Sequence, residues 1–121
     1  MGFKMKKVSY YGIPVIELYG KLSGGNTIKV SRLLEKMSTK KNIITVLDLS
    51  NVNYIDSNWM GVFIYLWRLY NEYHKTLLFI IPPGFVLDIL KETHLDTTFE
   101  IIDSLGGLKK FLDQSNNKVN V

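Results

Sequence analysis

The chain has 121 residues, of which 46% are hydrophobic and 21% charged, with 15 Lys and Arg against 11 Asp and Glu. This composition is typical of one folded domain and excludes a disordered chain. The longest uncharged apolar run covers residues 59–67, well short of the ~20 residues that a membrane span needs. No apolar segment follows the first lysines, so we expect neither a membrane span nor a secretory signal.

Cysteine is absent, which excludes disulfides, thiol chemistry and cysteine-ligated zinc. The two histidines, His74 and His94, lack the spacing of metal ligands. The lysines are scattered, and only Arg32 and Arg68 are arginine, whereas nucleic-acid readers concentrate arginine for base contacts. We therefore expect no metal, no cofactor and no nucleic-acid partner.

The first third of the chain predicts a hairpin followed by a helix. Residues 6–11 and 14–19 have β-like patterns, and the Gly-Ile-Pro break between them favours an antiparallel pair at a sheet edge. Residues 20–25 are predicted as a loop. A helix is predicted from Asn26 or Thr27 to about residue 40, and its expected apolar face consists of Ile28, Leu33, Leu34 and Met37.

The rest of the chain predicts strands alternating with helices. The predicted elements are a strand at 43–47, a polar loop at 48–54, a helix from about 56 to 74, a strand at 77–81, a helix at 85–93, a strand at 99–102 and a final helix capped by Asp103 or Ser104. This order predicts a single α/β domain over residues 1–114, a small mixed sheet made of the hairpin and βαβ units with about four helices. Residues 115–121 are predicted as a flexible tail.

The helix predicted from residue 56 is the most informative segment. Asp56 is a good N-cap, which would place the Ser57 hydroxyl in the first turn, toward solvent. Ser57, Gly61, Ile64 and Arg68 form one row that we expect to be exposed. Because glycine inside a helix costs about 1 kcal/mol relative to alanine, Gly61 indicates either close packing or access of a partner to Ser57.

Two runs of this chain resemble the signature of STAS domains: Val46-Leu47-Asp48-Leu49-Ser50 and Ile55-Asp56-Ser57-Asn58-Trp59-Met60-Gly61-Val62. The family includes bacterial anti-sigma factor antagonists and the cytosolic domain of sulphate transporters, and the similarity extends over residues 8–112. It implies a mixed sheet with helices on it. The phosphorylatable serine of the family corresponds to Ser57.

The chain departs from the family pattern near that serine. The family commonly has Asp-Ser-Ser/Thr-Gly-x-Gly, and here the second hydroxyl and the first glycine are replaced by Asn58 and Trp59. The usual acidic residue in the loop after the second strand is absent, with Ser23 near that position. His94 stands where the family often has glycine, at a helix end that favours a left-handed residue.

The resemblance implies a cytoplasmic regulator that is not an enzyme. Unmodified protein would bind an anti-sigma factor that is also a serine kinase, phosphorylation of Ser57 would release it, and a PP2C-like phosphatase would restore binding. The expected contact positions are Lys21, Ser23, Gly24, Asp56, Ser57, Asn58, Gly61 and Ile64.

Other functions are less consistent with the residues. Ser57 lacks the Gly-x-Ser-x-Gly elbow of hydrolases, and a phospho-acceptor receiver domain would need acidic residues where residues 20–23 supply none. The alternative that stays open has the same fold. It is a scaffold or accessory subunit of a stress-signalling or lipid-transport complex, in which Ser57 is never phosphorylated and Trp59 forms a hydrophobic contact with the partner.

Overall fold

The computed structural model describes the backbone of residues 3–119 and the side chains of residues 3–114. The strands are β1 (Lys4–Tyr10), β2 (Ile13–Leu22), β3 (Ile44–Ile55), β4 (Thr76–Ile80) and β5 (Glu100–Ile102). The helices are α1 (Ile28–Ser38), α2 (Ser57–Glu72), α3 (Phe85–Glu92) and α4 (Leu108–Val119), with a short 3₁₀ turn at Leu105–Gly107. No helix in this part of the chain is long and apolar enough to cross a membrane.

The strands form one mixed sheet in the order β1-β2-β3-β4-β5. The β1–β2 pair is antiparallel and the other neighbours are parallel, which confirms the predicted fold class and places the hairpin at one edge. Tyr11 and Gly12 connect the hairpin strands with φ angles of 56° and 76°. Two consecutive left-handed residues give the turn that matches the twist of a hairpin.

Helices pack on both faces of the sheet. One large core holds the apolar sides of α1, α2 and α3, including Leu34, Phe63 and Leu90. A smaller core on the other face contains Leu108, the first residue of α4, packed with Val46 and Leu78. Burial on both faces explains why β3 and β4 contain nearly continuous apolar runs.

The predicted loops at 20–25 and 48–54 are partly wrong, because β2 continues to Leu22 and β3 continues to Ile55. The pairing of these strands shifts register twice, between Glu17 and Tyr19 and between Gly20 and Lys21. The buried residues Leu49, Val52 and Ile55 are therefore three apart. A regular strand buries every second residue, so alternation alone could not identify this extension.

Two details of the predicted helices are also wrong. In α1 the buried row is Val30, Leu34 and Met37, while Ile28 is exposed. Ser104 precedes the 3₁₀ turn without a side-chain capping bond, so neither expected residue caps the last helix, which begins at Leu108. The backbone of α4 continues to Val119, residues 120 and 121 lie outside the described part, and the flexible tail from residue 115 stays a prediction.

Candidate functional site

The start of α2 is held in place by the side chain of Asp56. Its backbone is extended, and one carboxylate oxygen accepts a hydrogen bond from the Trp59 N–H at 3.0 Å. The other oxygen accepts from the Gly24 N–H at 2.6 Å, and the Asp56 N–H donates to the Leu22 carbonyl at 3.0 Å. Asp56 is thus the predicted N-cap, and it also ties the β2–α1 loop to the first turn of α2.

These contacts lower the pKa of the Asp56 carboxyl. The hydrogen bond from the Trp59 N–H is the largest cause that lowers the pKa of the carboxyl below its ordinary value of 3.8, and the Gly24 N–H adds to it. Partial desolvation acts in the opposite direction and is outweighed. The carboxylate is therefore ionised at neutral pH with each oxygen accepting one backbone N–H, so its role is to position the two segments.

Ser57 is the first residue of α2, and its side chain is exposed, as are those of Asn58 and Ser23. A residue at this position lies beside the free N–H groups and the partial positive charge of a helix N-terminus. The predicted site residues at positions 23, 24, 56, 57 and 58 therefore share one corner of the molecule, at the carboxyl ends of β2 and β3.

Gly61 lies one turn further along α2, on the exposed side. A Cβ atom added at Gly61 would meet nothing within 4 Å, so close packing inside the protein does not explain the glycine. Its effect is to leave the helix surface one turn from Ser57 without a side chain. Arg68 is exposed as expected, whereas Ile64 is half-buried and packs against the core, so the predicted row is less apolar at its surface than expected.

A family model described as the STAS domain matches residues 4–108. The chain belongs to the STAS domain family.

Solved structures have the same STAS fold at low sequence identity. An anti-sigma factor antagonist from Mycobacterium paratuberculosis is 15% identical, with a TM-score of 0.72 over 87% of this chain and 89% of its own. A proposed anti-sigma factor antagonist from Thermotoga maritima is 22% identical, with a TM-score of 0.68 over 89% and 92%. The phosphorylated form of the Bacillus cell fate determinant SpoIIAA is 11% identical, with a TM-score of 0.67 over 91% and 99%.

Lys21, one of the predicted contact residues, does not join the Ser57 row. Leu22 is buried in the core beneath α2, and Lys21 lies on the opposite face of the strand. Its ammonium group sits 5.1 Å from the centre of the Tyr54 ring, which suits a cation–π contact. Lys21 therefore lies at the edge of the corner that contains Ser57.

The sequence reasoning missed an exposed aromatic pair at the same end of the sheet. Tyr54 and Phe85 stack with ring centres 5.8 Å apart and planes at 15°, and both rings are exposed. Phe85 also lines a pocket of about 260 Å³ between the end of β3 and the turn that precedes α3. The available signal was that Phe85 falls outside the helix face formed by Val86 and Leu90.

Trp59 is part of the core, with no exposed surface. Its ring packs edge-to-face on Phe3, with centres 4.9 Å apart. Among the described residues its indole N–H has no hydrogen-bond partner. The suggestion that Trp59 contacts a partner directly is therefore wrong, and the large ring instead fills space under the first turn of α2.

Both histidines follow the carboxyl ends of helices, whereas Ser57 begins one. His74 follows the other end of α2, roughly 25 Å from Ser57 at a rise of about 1.5 Å per residue, and His94 ends α3 with the expected left-handed φ of 61°. Asp48 is buried within β3, where it accepts the Ser50 N–H at 2.9 Å. Within the described side chains, no group of three or more His, Cys, Asp or Glu residues is placed to hold a metal ion.

Proposed function

We propose that this STAS domain is a cytoplasmic anti-sigma factor antagonist. The unmodified protein binds an anti-sigma factor of the ATP-binding serine kinase type, and phosphorylation of Ser57 releases it. The observation that carries the proposal is the exposed Ser57 at the first position of α2. It directly follows Asp56, which caps the helix and joins it to the Gly24 loop.

The fold tolerates a phosphate at this position. A phosphoserine carries about −1.5 to −2 charges at pH 7, and a helix N-terminus offers partial positive charge and free N–H groups to it. The first turns of α1 and α2 contain no acidic residue, and the Asp56 carboxylate beside Ser57 is already bonded to the Trp59 and Gly24 N–H groups. We therefore infer that phosphorylated Ser57 leaves the sheet and helices unchanged.

The same phosphate opposes the bound complex. At an interface the dianion must lose water, and an acidic partner group about 4 Å away would repel each unit of charge by roughly 4 kcal/mol at an effective dielectric near 20. Since ~1.4 kcal/mol is tenfold in affinity, one modification is sufficient to release a partner. Removal of the phosphate by a PP2C-like phosphatase would restore binding.

The contact residues have distinct roles in this proposal. Ser57 is the modified residue, Asp56 positions it, and Gly61 leaves the surface beside it free of a side chain. Ser23, Gly24 and Asn58 contact the partner around Ser57, whereas Ile64 and Lys21 lie at the border of the contact surface. The domain acts by binding, with no catalytic residue and no cofactor of its own.

A second function is favoured by one specific observation. Asn58 is exposed beside Ser57 where the family commonly has a second hydroxyl, which alters the surface that a kinase would recognise. In this alternative the domain is a scaffold or accessory subunit of a stress-signalling or lipid-transport complex, and Ser57 is a contact residue that is never modified.

Kinase treatment distinguishes the two functions. The purified chain is incubated with an ATP-binding serine kinase of the anti-sigma factor type from the same organism and with Mg-ATP, and the mass of the peptide that contains Ser57 is measured. We expect a gain of one phosphate in the wild type and in the control Ser23→Ala, and none in Ser57→Ala. A partner that still binds while no variant gains mass would support the scaffold and contradict the antagonist.

A further inference from the structure

The end of the molecule opposite Ser57 has its own surface chemistry. Three neighbouring segments meet there, the hairpin turn at 10–13, the α1–β3 connection at 39–43 and the α2–β4 connection at 73–75, and we call them together the basal surface. The α3–β5 connection at 93–99 borders them, because β5 runs parallel to β4. The Thr76 N–H donates to the Ile43 carbonyl at 2.9 Å, and the Lys75 ammonium donates to the Lys40 carbonyl. These bonds hold the α1–β3 and α2–β4 connections side by side.

The basal surface exposes large apolar and aromatic side chains. Tyr11 is 68% exposed, Ile43 67% and Tyr73 51%. Each of the three segments contributes one of them. Ile43 is an aliphatic residue left in water directly before a buried strand, and it contributes little to the core of the isolated domain.

The charges of the basal surface all have the same sign. Lys40, Lys41 and Lys75 belong to it, and its three segments contain no Asp or Glu. The nearest acids lie at its border, since Glu72 directly precedes the α2–β4 connection and Asp96 belongs to the α3–β5 connection. Glu35 accepts a hydrogen bond from the Tyr65 hydroxyl on the sides of α1 and α2.

We propose that the basal surface docks on an anionic lipid bilayer. Lysines next to an anionic leaflet gain about fivefold in affinity each, equivalent to about 1 kcal/mol. Tyrosine rings favour the interface between headgroups and hydrocarbon, and an exposed isoleucine gains by leaving water. Duplex DNA fits less well, because the surface has no arginine for bidentate base contacts, and an oligonucleotide arm of the test addresses stacking of bases on the two tyrosines.

The direction of the strands gives this docking a defined orientation. β2, β3 and β4 all start at the basal surface and run away from it, and β3 alone spans roughly 35 Å at a rise of about 3.3 Å per residue. Ser57 would thus lie far from the lipid, facing its partners. The inference does not depend on phosphorylation of Ser57.

Vesicle sedimentation tests the inference. The full chain is mixed with vesicles of phosphatidylcholine alone or with about one third phosphatidylglycerol, at low and high salt. We expect binding only to the anionic vesicles, weakened by salt. The double variant Lys40→Ala/Lys41→Ala should lose about 25-fold in affinity, and Ile43→Ser should lose several-fold.

The matched control is Lys109→Ala/Lys110→Ala, which removes the same charge from exposed residues of α4 and should change binding less than twofold. Ser57→Asp should bind anionic vesicles as the wild type does. Equal losses in the basal and α4 variants would overturn the inference, as would no preference for anionic vesicles. Binding to an oligonucleotide but not to vesicles would instead make the basal surface a nucleic-acid site.

Discussion

Asp56 joins two backbone segments through one carboxylate, and this bridge organises the candidate site. Each of its oxygens accepts one N–H, from Trp59 in the helix and from Gly24 in the loop. A residue that lacks an oxygen at this position would release both segments. The position of Ser57 and the conformation of the neighbouring loop therefore depend on the same residue.

Substitution of Asp56 tests this dependence. We expect Asp56→Ala to lower the thermal midpoint by several degrees, because it removes the cap and the link to the loop. Asp56→Asn is the matched control, since its amide oxygen can still cap the helix, and it should lose much less. Circular dichroism melting measures both, and equal losses would show that the cap is unimportant.

The lowered pKa of Asp56 also predicts a pH dependence. A carboxyl whose pKa is lower in the folded state stabilises the fold above its unfolded value, and this contribution is lost as the pH falls through the folded value. The difference in unfolding free energy between the wild type and Asp56→Asn should be constant near neutral pH and shrink below pH 3.8, the ordinary value. Urea titrations across this range measure it, and a difference that grows in acid would contradict the assignment.

Gly61 offers a second test at the scale of one residue. Because an added Cβ meets nothing within 4 Å, we expect Gly61→Ala to stabilise the domain by about 1 kcal/mol through helix propensity alone. If partners contact α2 at Gly61, beside Ser57, the added methyl group should weaken their binding. Urea unfolding measures the first effect, and a less stable variant would reveal a packing role for the glycine.

At the scale of elements, α2 depends on the large ring beneath its first turn. Trp59 is fully buried and packs between Phe3 and Phe63. Trp59→Ala should cost about 3 to 5 kcal/mol of unfolding free energy. Trp59→Phe should cost clearly less, because it also removes an indole N–H that has no partner in the described part of the chain.

Chemical denaturation of both Trp59 variants measures these losses, and the phenylalanine variant keeps the test informative if the alanine variant does not fold. A loss below about 1 kcal/mol for Trp59→Ala would be typical of an exposed residue. That result would contradict the packing role assigned to Trp59.

The elements also show how far sequence patterns extend. The hairpin, the buried strands and the cap at Asp56 were predictable, because each depends on local periodicity or on a local hydrogen bond. The length of β3 was not, since it follows from two register shifts against β2. The inward position predicted for Ile28 was wrong, because apolar spacing does not show that this first residue of α1 is left exposed.

The candidate site divides in the same way. Asp56 and Ser57 are adjacent in sequence, so capping rules place them correctly. The contact of Asp56 with Gly24 spans 32 positions, and the stacking of Tyr54 on Phe85 joins the end of a strand to the start of a helix. Such contacts depend on tertiary packing, which a single sequence does not reveal.

At the scale of the whole molecule, the two ends of the sheet have different chemistry. The carboxyl ends of β2 and β3 hold the Ser57 site and the exposed Tyr54–Phe85 pair, whereas the starts of the strands form the basic and apolar basal surface. Because the rigid sheet separates them, we expect changes at one end to leave the other unaffected. On the proposed function, we expect phosphorylation of Ser57 to change binding without refolding the domain.

The most direct test of the central claim is the affinity of the partner kinase for this domain with and without phosphate on Ser57, measured by calorimetry beside melting curves of both forms. We expect phosphorylation to weaken binding between about tenfold and about a thousandfold, and Ser57→Ala to bind as unmodified protein does. The two forms should melt within a few degrees of each other. Equal affinity of the phosphorylated and unmodified forms would contradict the account, as would a phosphorylated form that is unfolded.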